Sequence, residues 1–242
     1  MTTYLTGDIH GNVSRFYKLK DYCINNNLDI NDWIVCLGDV GLNYWGDCRE
    51  DAVKKIVSYI PVNLFCIHGN HERRPSKETG YIKHKLNGNI IGEVWWNPNY
   101  PNQYFAIDGN IYKFLVDGGF LTVLVCGGAY SVDKDYRLAR GYHWWADEQP
   151  CARTKTKTIN KAKKNEIDIV LTHTCPLRFE PTELFLQGID QSTVDKTTEE
   201  FLDDLYEVLC EKKKPVWYFG HFHANKFTDD YTMLYDDIVK LK

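Results

Sequence analysis

At 242 residues, with 43% apolar and 26% charged side chains, the chain has the size and composition of one α/β globule that can bury a full core. A formal net charge of −4 argues against a nucleic-acid partner and against an anionic membrane surface. No apolar run is long enough for a spanning helix, Met1–Leu5 carries no signal-peptide pattern, and the cysteines are dispersed without a Cys-x-x-Cys pair, so the reading is a cytoplasmic protein without a zinc ribbon or thioredoxin motif.

Thr3–Thr6 reads as a short strand that runs directly into Gly7-Asp8-Ile9-His10-Gly11. Val13, Phe16, Tyr17, Cys23 and Ile24 then recur at helical spacing. Trp33–Leu37 is a second strand and leads into Gly38-Asp39-Val40-Gly41. Ala52, Val53, Ile56, Val57 and Ile60 mark a second helix that Pro61 should stop. Val62–Ile67 is a third strand, ending at His68 and Gly69-Asn70-His71-Glu72. Loops at the carboxyl ends of parallel strands meet at one sheet edge, so the three motifs are expected to converge.

Short strands separated by glycine and aspartate turns follow at 89–91, 104–107, 110–116 and 120–126, which predicts an antiparallel section. Residues 92–150 as a whole are read as a possible specificity insert within a single domain over 1–242. Lys155–Lys164 predicts a basic helix with a solvated face, and Val194–Leu209 a long amphipathic helix. Ile167–Thr172 leads into His173, and Val216–Phe219 into Gly220-His221-Phe222-His223. Two short strands, near 226–228 and 232–235, close the reading.

Asp8 and His10 stand two apart at a strand end and can chelate one ion from the same side; His221 and His223 repeat the spacing. Asp39 offers two oxygens that can bridge a pair of ions, Asn70 a neutral oxygen and His173 an imidazole nitrogen. Oxygen and nitrogen donors without thiolate suit manganese best, with iron, zinc or nickel as alternatives.

The order Asp-x-His, Gly-Asp, Gly-Asn-His-Glu, His, Gly-His-x-His resembles the calcineurin-like metallophosphoesterase superfamily, over nearly the whole chain from Gly7 to His223. The resemblance implies a four-layer α/β/β/α sandwich with two mixed sheets. It implies two divalent ions, one held by Asp8, His10 and His223 and the other by Asn70, His173 and His221, with Asp39 shared. A bridging hydroxide would attack the phosphate ester, and His71, which binds no metal in this pattern, would serve the leaving oxygen.

The chain departs from the protein phosphatases of that superfamily after Asp39. Leu42 stands where they carry the carboxylate that orients the histidine, and Asn43 where they carry a phosphate-binding arginine. The expected substrate is therefore a small or nucleotide-like phosphomonoester or diester. Alternatives are a protein phosphatase that uses Arg49, Arg73, Arg74 or Arg137, a nuclease, or a non-catalytic scaffold on the same fold.

Other residues carry blander expectations. His68 reads as a strand end, His84 as surface and Cys175 as packing. Ser131 is expected to cap a helix containing Asp133 and Arg137, with a role at the site as the second reading. His143 is open between packing and substrate contact, and Trp95, Trp96, Tyr100 and Tyr104 read as packing before base stacking.

Overall fold

The computed structural model describes residues 2–241; Met1 and Lys242, the ends of the single domain expected over 1–242, lie outside them. Strands β1 (Thr3–Thr6), β2 (Trp33–Cys36) and β3 (Asn63–Cys66) pair in parallel, with Leu5 beside Val35 and Val35 beside Phe65. Their crossovers carry α1 (Val13–Asn25) and α2 (Arg49–Val57). The Asn12 side chain caps α1 by accepting from the backbone N–H groups of Ser14 and Arg15. Helix α2 stops at Val57 rather than at Pro61. The Asn102 amide donates to the carbonyls of Val57, Ile60 and Val62, satisfying the chain just where the helix lets go.

The middle of the chain forms β4 (Ile82–Asn87), β5 (Ile90–Trp96), β6 (Gln103–Ala106), β7 (Asn110–Val116) and β8 (Gly119–Cys126). The short helix α3 (Lys134–Ala139) and α4 (Ala152–Ala162) follow. Then come β9 (Ile169–Thr172), α5 (Thr197–Cys210), β10 (Val216–Phe219), β11 (Lys226–Phe227), β12 (Tyr231–Met233) and β13 (Val239–Lys240). The antiparallel section is real but not pure, since β6 pairs in parallel with β3 while β5, β7 and β8 run antiparallel to their neighbours in this section.

The thirteen strands among the described residues join one mixed ladder, ordered β11-β12-β10-β9-β8-β7-β5-β6-β3-β2-β1-β13 with β4 beside β5. The expected two sheets pair here as limbs of that ladder. Strand β5 links them: its first residues bond β7 and its last bond β6.

Alternation along the strands sorts the core into three. Leu5, Val35 and Phe65 pack in one cluster with Val123, Val125, Ile169 and Leu171, so the two limbs share a core. The opposite-facing Ile34, Cys36, Leu64 and Cys66 pack with Phe16, Leu19 and Cys23 of α1 and Val57 of α2. On the other limb Leu124, Val170, Trp217 and Phe219 pack with Ala162 of α4 and Leu202, Leu205 and Leu209 of α5. The carboxyl ends of β1, β2, β3, β9 and β10 are left to carry the site. No helix among the described residues is long and apolar enough to cross a membrane.

Candidate metal centre

Five non-glycine residues among those described have backbone φ in the left-handed region, and four of them are His10, Asp39, His221 and His223. Such conformations cost free energy and persist where surrounding contacts enforce them. The contacts are visible here. The N–H groups of Ile9 and His10 both donate to the Asp39 carbonyl, at 3.0 and 2.7 Å, and Gly11 N–H donates to the Val40 carbonyl at 3.0 Å. Gly69 has no room for a side chain, since a Cβ would overlap Asp39 Oδ1; at Gly38 a Cβ would overlap the His173 ring.

The two carboxylates are held in the same manner. Asp8 Oδ1 accepts from the His221 N–H at 2.9 Å, and Asp39 Oδ1 accepts from the His71 N–H at 2.8 Å. Each therefore presents Oδ2 to the site. Asp8 Oδ2 lies 3.2 Å from His223 Nε2 and 3.7 Å from His10 Nε2; Asp39 Oδ2 lies 3.5 Å from His173 Nε2 and 3.9 Å from His10 Nδ1. His10 and His223 face each other, Nε2 to Nε2, at 2.8 Å. Asn70 Nδ2 donates to Ser131 Oγ at 2.8 Å, which turns Oδ1 towards His173 Nε2, also at 2.8 Å.

These atoms fit divalent ions. Asp8 Oδ2 is buried without a hydrogen-bond partner. His173 Nδ1 donates to the Leu37 carbonyl at 2.8 Å, which leaves the Nε2 lone pair for the site. Three compact groups, Asp8 with His10 and His223, Asp8 with Asp39 and His173, and His10 with Asp39 and His71, each gather their donor atoms closely enough for one ion. His221 adjoins them, its ring 4.9 Å from that of His173.

The electrostatics agree. Burial would raise Asp39, but His173, His71 and His10 hold its carboxyl well below the usual range. Asp8 is likewise held down against burial by the charge of His173 and by the neighbouring His10 and His223 rings. Burial works against protonation of His173, yet Asp39 and Asp8 raise it to about 9; a proton and a metal ion are alternatives at its Nε2. Burial and the adjacent His173 push His221 down to about 3, keeping its ring in the neutral form that binds metal. Behind His223, Tyr235 stacks on the ring at 5.0 Å, and the Arg15 guanidinium lies 4.4 Å above Tyr235.

His71 Nε2 lies 3.4 Å from Asp133 Oδ1, and Arg137 Nη1 lies 3.7 Å from Asp133 Oδ2. The helix-cap expectation for Ser131 is thereby corrected. The N-cap position of α3 is Asp133, without a side-chain capping bond, because the Ser131 hydroxyl is engaged by Asn70 and the Asp133 carboxylate turns to His71. Leu42 is fully buried in the core behind β2, and Asn43 accepts from the Tyr81 hydroxyl at 2.7 Å. Of the arginines considered, Arg49 pairs with Asp47, Arg73 packs on Trp145, and Arg74 is tied to Asp108; Arg137 alone of the four contacts Asp133.

The aromatic candidates pack. Tyr104 meets Trp33, Trp96 meets His84, Lys83 lies over Trp95, the Tyr100 hydroxyl donates to Asp51, and His143 stacks on Trp145. Cys175 is fully buried in the core around α5. His68 is buried too, with neither ring nitrogen partnered, and burial holds it well below the ordinary histidine range.

A cavity of about 320 Å³ opens beside the cluster, lined by Asp39, Asn70, His71, Asp133, His221 and His223 on one side and by residues 180–199 on the other. Glu199, which sequence reasoning missed, is in that wall. It stands in the first turn of a helix full of acidic residues, where nothing local distinguishes it.

A family model described as calcineurin-like phosphoesterase matches residues 1–225. The fold is similar to that of the crystal structure of TT1561 of Thermus thermophilus, at 12% identity over 97% of this chain and 89% of that one, with a TM-score of 0.51. Phosphopantetheinyl hydrolase from Mycobacterium tuberculosis matches at 12% identity over 97% and 88%, TM-score 0.48. A novel archaeal phosphodiesterase matches at 9% identity over 97% and 82%, TM-score 0.33. No curated protein matches the chain.

Proposed function

The chain belongs to the calcineurin-like phosphoesterase family, and from that premise we propose that it hydrolyses small or nucleotide-like phosphate esters at a centre of two divalent ions. Asp8, His10 and His223 would hold one ion and Asn70, His173 and His221 the other, with Asp39 shared between them. Manganese suits this mixture of oxygen and nitrogen donors best, with iron, zinc or nickel as alternatives. The ions, when bound, supply Lewis-acid polarisation of the phosphoryl group and activation of the attacking water.

The protein's own part begins with position. The backbone N–H groups of His71 and His221 fix the carboxylates of Asp39 and Asp8 before substrate arrives, so little reorganisation remains to be done. His71 delivers a proton to the leaving oxygen from the cavity wall. Asp133 Oδ1 stands 3.4 Å from His71 Nε2, close enough to orient the ring in the role that Leu42 cannot fill, and Arg137 lies beside Asp133. The whole chain acts as one domain, in which the loop from β8 to α4 contributes to the site. The dispersed cysteines, three of them core residues of β2, β3 and β8, support a cytoplasmic setting.

The observation that carries this reading is the convergence of two buried carboxylates, each with one oxygen turned to the site, and imidazole nitrogens at the carboxyl ends of five strands. The test is initial rates on p-nitrophenyl phosphate and bis-p-nitrophenyl phosphate, with manganese added to protein stripped by chelator. Metal-dependent turnover is expected on one of them, and the preferred ester assigns the monoester or diester class. Protein that holds two equivalents of metal and turns over neither ester nor any nucleotide tested would leave the scaffold reading in its place.

A further inference from the structure

The cavity beside the metal centre has a wall that the phosphoryl chemistry does not require. Leu184, Phe185, Ile189, Val194 and Phe222 make it apolar, and the Phe185 and Phe222 rings lie nearly parallel, 20° apart with centroids 6.4 Å apart. Its size falls at the low end of the range for small-molecule sites, enough for one ring and its substituents.

Within this wall the charged groups are accounted for except one. Lys196 Nζ pairs with Glu180 Oε2 at 2.7 Å and lies 4.8 Å above the Phe185 ring. Glu199 is 6% exposed; its Oε1 accepts from the Thr174 hydroxyl at 2.8 Å, but Oε2 has no partner. A buried oxygen left without a donor costs free energy unless something supplies one. The Thr174 bond also fixes which oxygen is spare.

Resting on the phosphoesterase reading above, we propose that this wall seats the alcohol part of the substrate ester, that this part carries an aromatic or heteroaromatic ring lying against the wall, and that Glu199 Oε2 accepts a hydrogen bond from an N–H or O–H group on that ring. A sugar phosphate, with hydroxyl groups on all sides, would leave most of them unpaired against Leu184, Ile189 and Val194. Burial pushes the Glu199 carboxyl up to about 7, so at pH 8 it is largely ionised and acts as an acceptor.

The test uses the manganese-loaded enzyme at pH 8 on para- and meta-aminophenyl phosphate and on the matching tolyl phosphates. The amino and methyl substituents are similar in size, and the meta and para isomers place the donor at different points of the wall. One amino isomer is expected to exceed its tolyl match in kcat/KM by about tenfold or more, the value of one hydrogen bond to a charged acceptor. In Glu199→Gln the Thr174 hydroxyl holds the amide oxygen and the NH2 group turns to the cavity, so that preference should disappear while turnover of the tolyl esters persists. Glu199→Leu should do the same, and tolyl turnover by either variant reports that the fold and the metal centre are intact. Equal rates for amino and tolyl esters in the wild type, or a preference that survives both substitutions, would overturn the proposal while leaving the phosphoesterase reading standing. No turnover of any ester by metal-loaded enzyme would remove both.

Discussion

The two limbs of the ladder deliver their site residues by one device and with opposite chemistry. Strands β1, β2 and β3 end in tight glycine-flanked loops that carry Asp8, Asp39 and Asn70, all buried. Strands β9 and β10 end in His173, His221 and His223, and two of these three imidazoles border the open cavity. The two carboxylates are tied down by backbone N–H groups and packed against glycines, whereas the wall beyond the second limb is apolar and accessible. The first limb supplies the buried carboxylates, and both limbs border the cavity, whose apolar wall lies beyond the second. The buried glutamates repeat the contrast. Glu72 on the first side accepts from the Gly41 N–H at 2.8 Å, while Glu199 on the second keeps an oxygen spare.

That division can be broken at its strongest point first. Asp39→Asn removes the shared carboxylate, and kcat/KM is expected to fall by more than ~10³-fold with loss of bound metal, read by steady-state rates and metal analysis. His223→Gln, on the open limb and half-exposed, should cost less; an equal loss would mean that the two limbs are not distinct in rigidity. His71→Asn leaves the metal content unchanged and is expected to lower kcat by ~10²-fold, most on esters with poor leaving groups. A loss that is the same for good and poor leaving groups would deny His71 the role of proton donor.

The Glu199 side sharpens the comparison through stability. Burial raises this carboxyl from 4.5 to about 7 in the folded protein. Between those values the folded protein keeps a proton that the unfolded chain releases, so stability is highest below the window and falls as pH rises through it. The fall attributable to Glu199 should be ~1–3 kcal/mol, and urea unfolding of Glu199→Gln at pH 5 and pH 8 should show a pH dependence flatter by that amount. An unchanged slope would mean that the carboxyl is better solvated than its surroundings imply. Smallest of all, Asp133→Asn is expected to reduce kcat by ~10-fold with KM nearly unchanged, because it acts only through the His71 ring. A change confined to KM would place Asp133 against substrate instead.

The fold was legible where local pattern and burial coincide. Apolar runs ending in glycine (in β9, directly in a histidine) and a candidate metal ligand marked β1, β2, β3, β9 and β10, and each lies within a residue or two of the expected span. Strand β4 was not legible. Its sequence, Ile-Lys-His-Lys-Leu-Asn, is mostly lysine and other polar residues, and the antiparallel partner β5 is what makes it a strand. The early end of α2 was hidden for a similar reason, since it depends on Asn102 reaching back from a distant loop.

By itself the sequence determined that Asp8, His10, Asp39, Asn70, His173, His221 and His223 would stand at or just after strand ends, and it raised the expectation that they share one chemistry, because side-chain type and turn-forming glycine are local properties. Tertiary structure alone decided that β5 would join the two limbs, that Asp133 rather than a residue near Leu42 would face His71, and that Glu199 would be buried with one oxygen unanswered. Those are contacts between segments far apart in the chain. Their energies come from packing and desolvation, which no residue carries until its neighbours are in place.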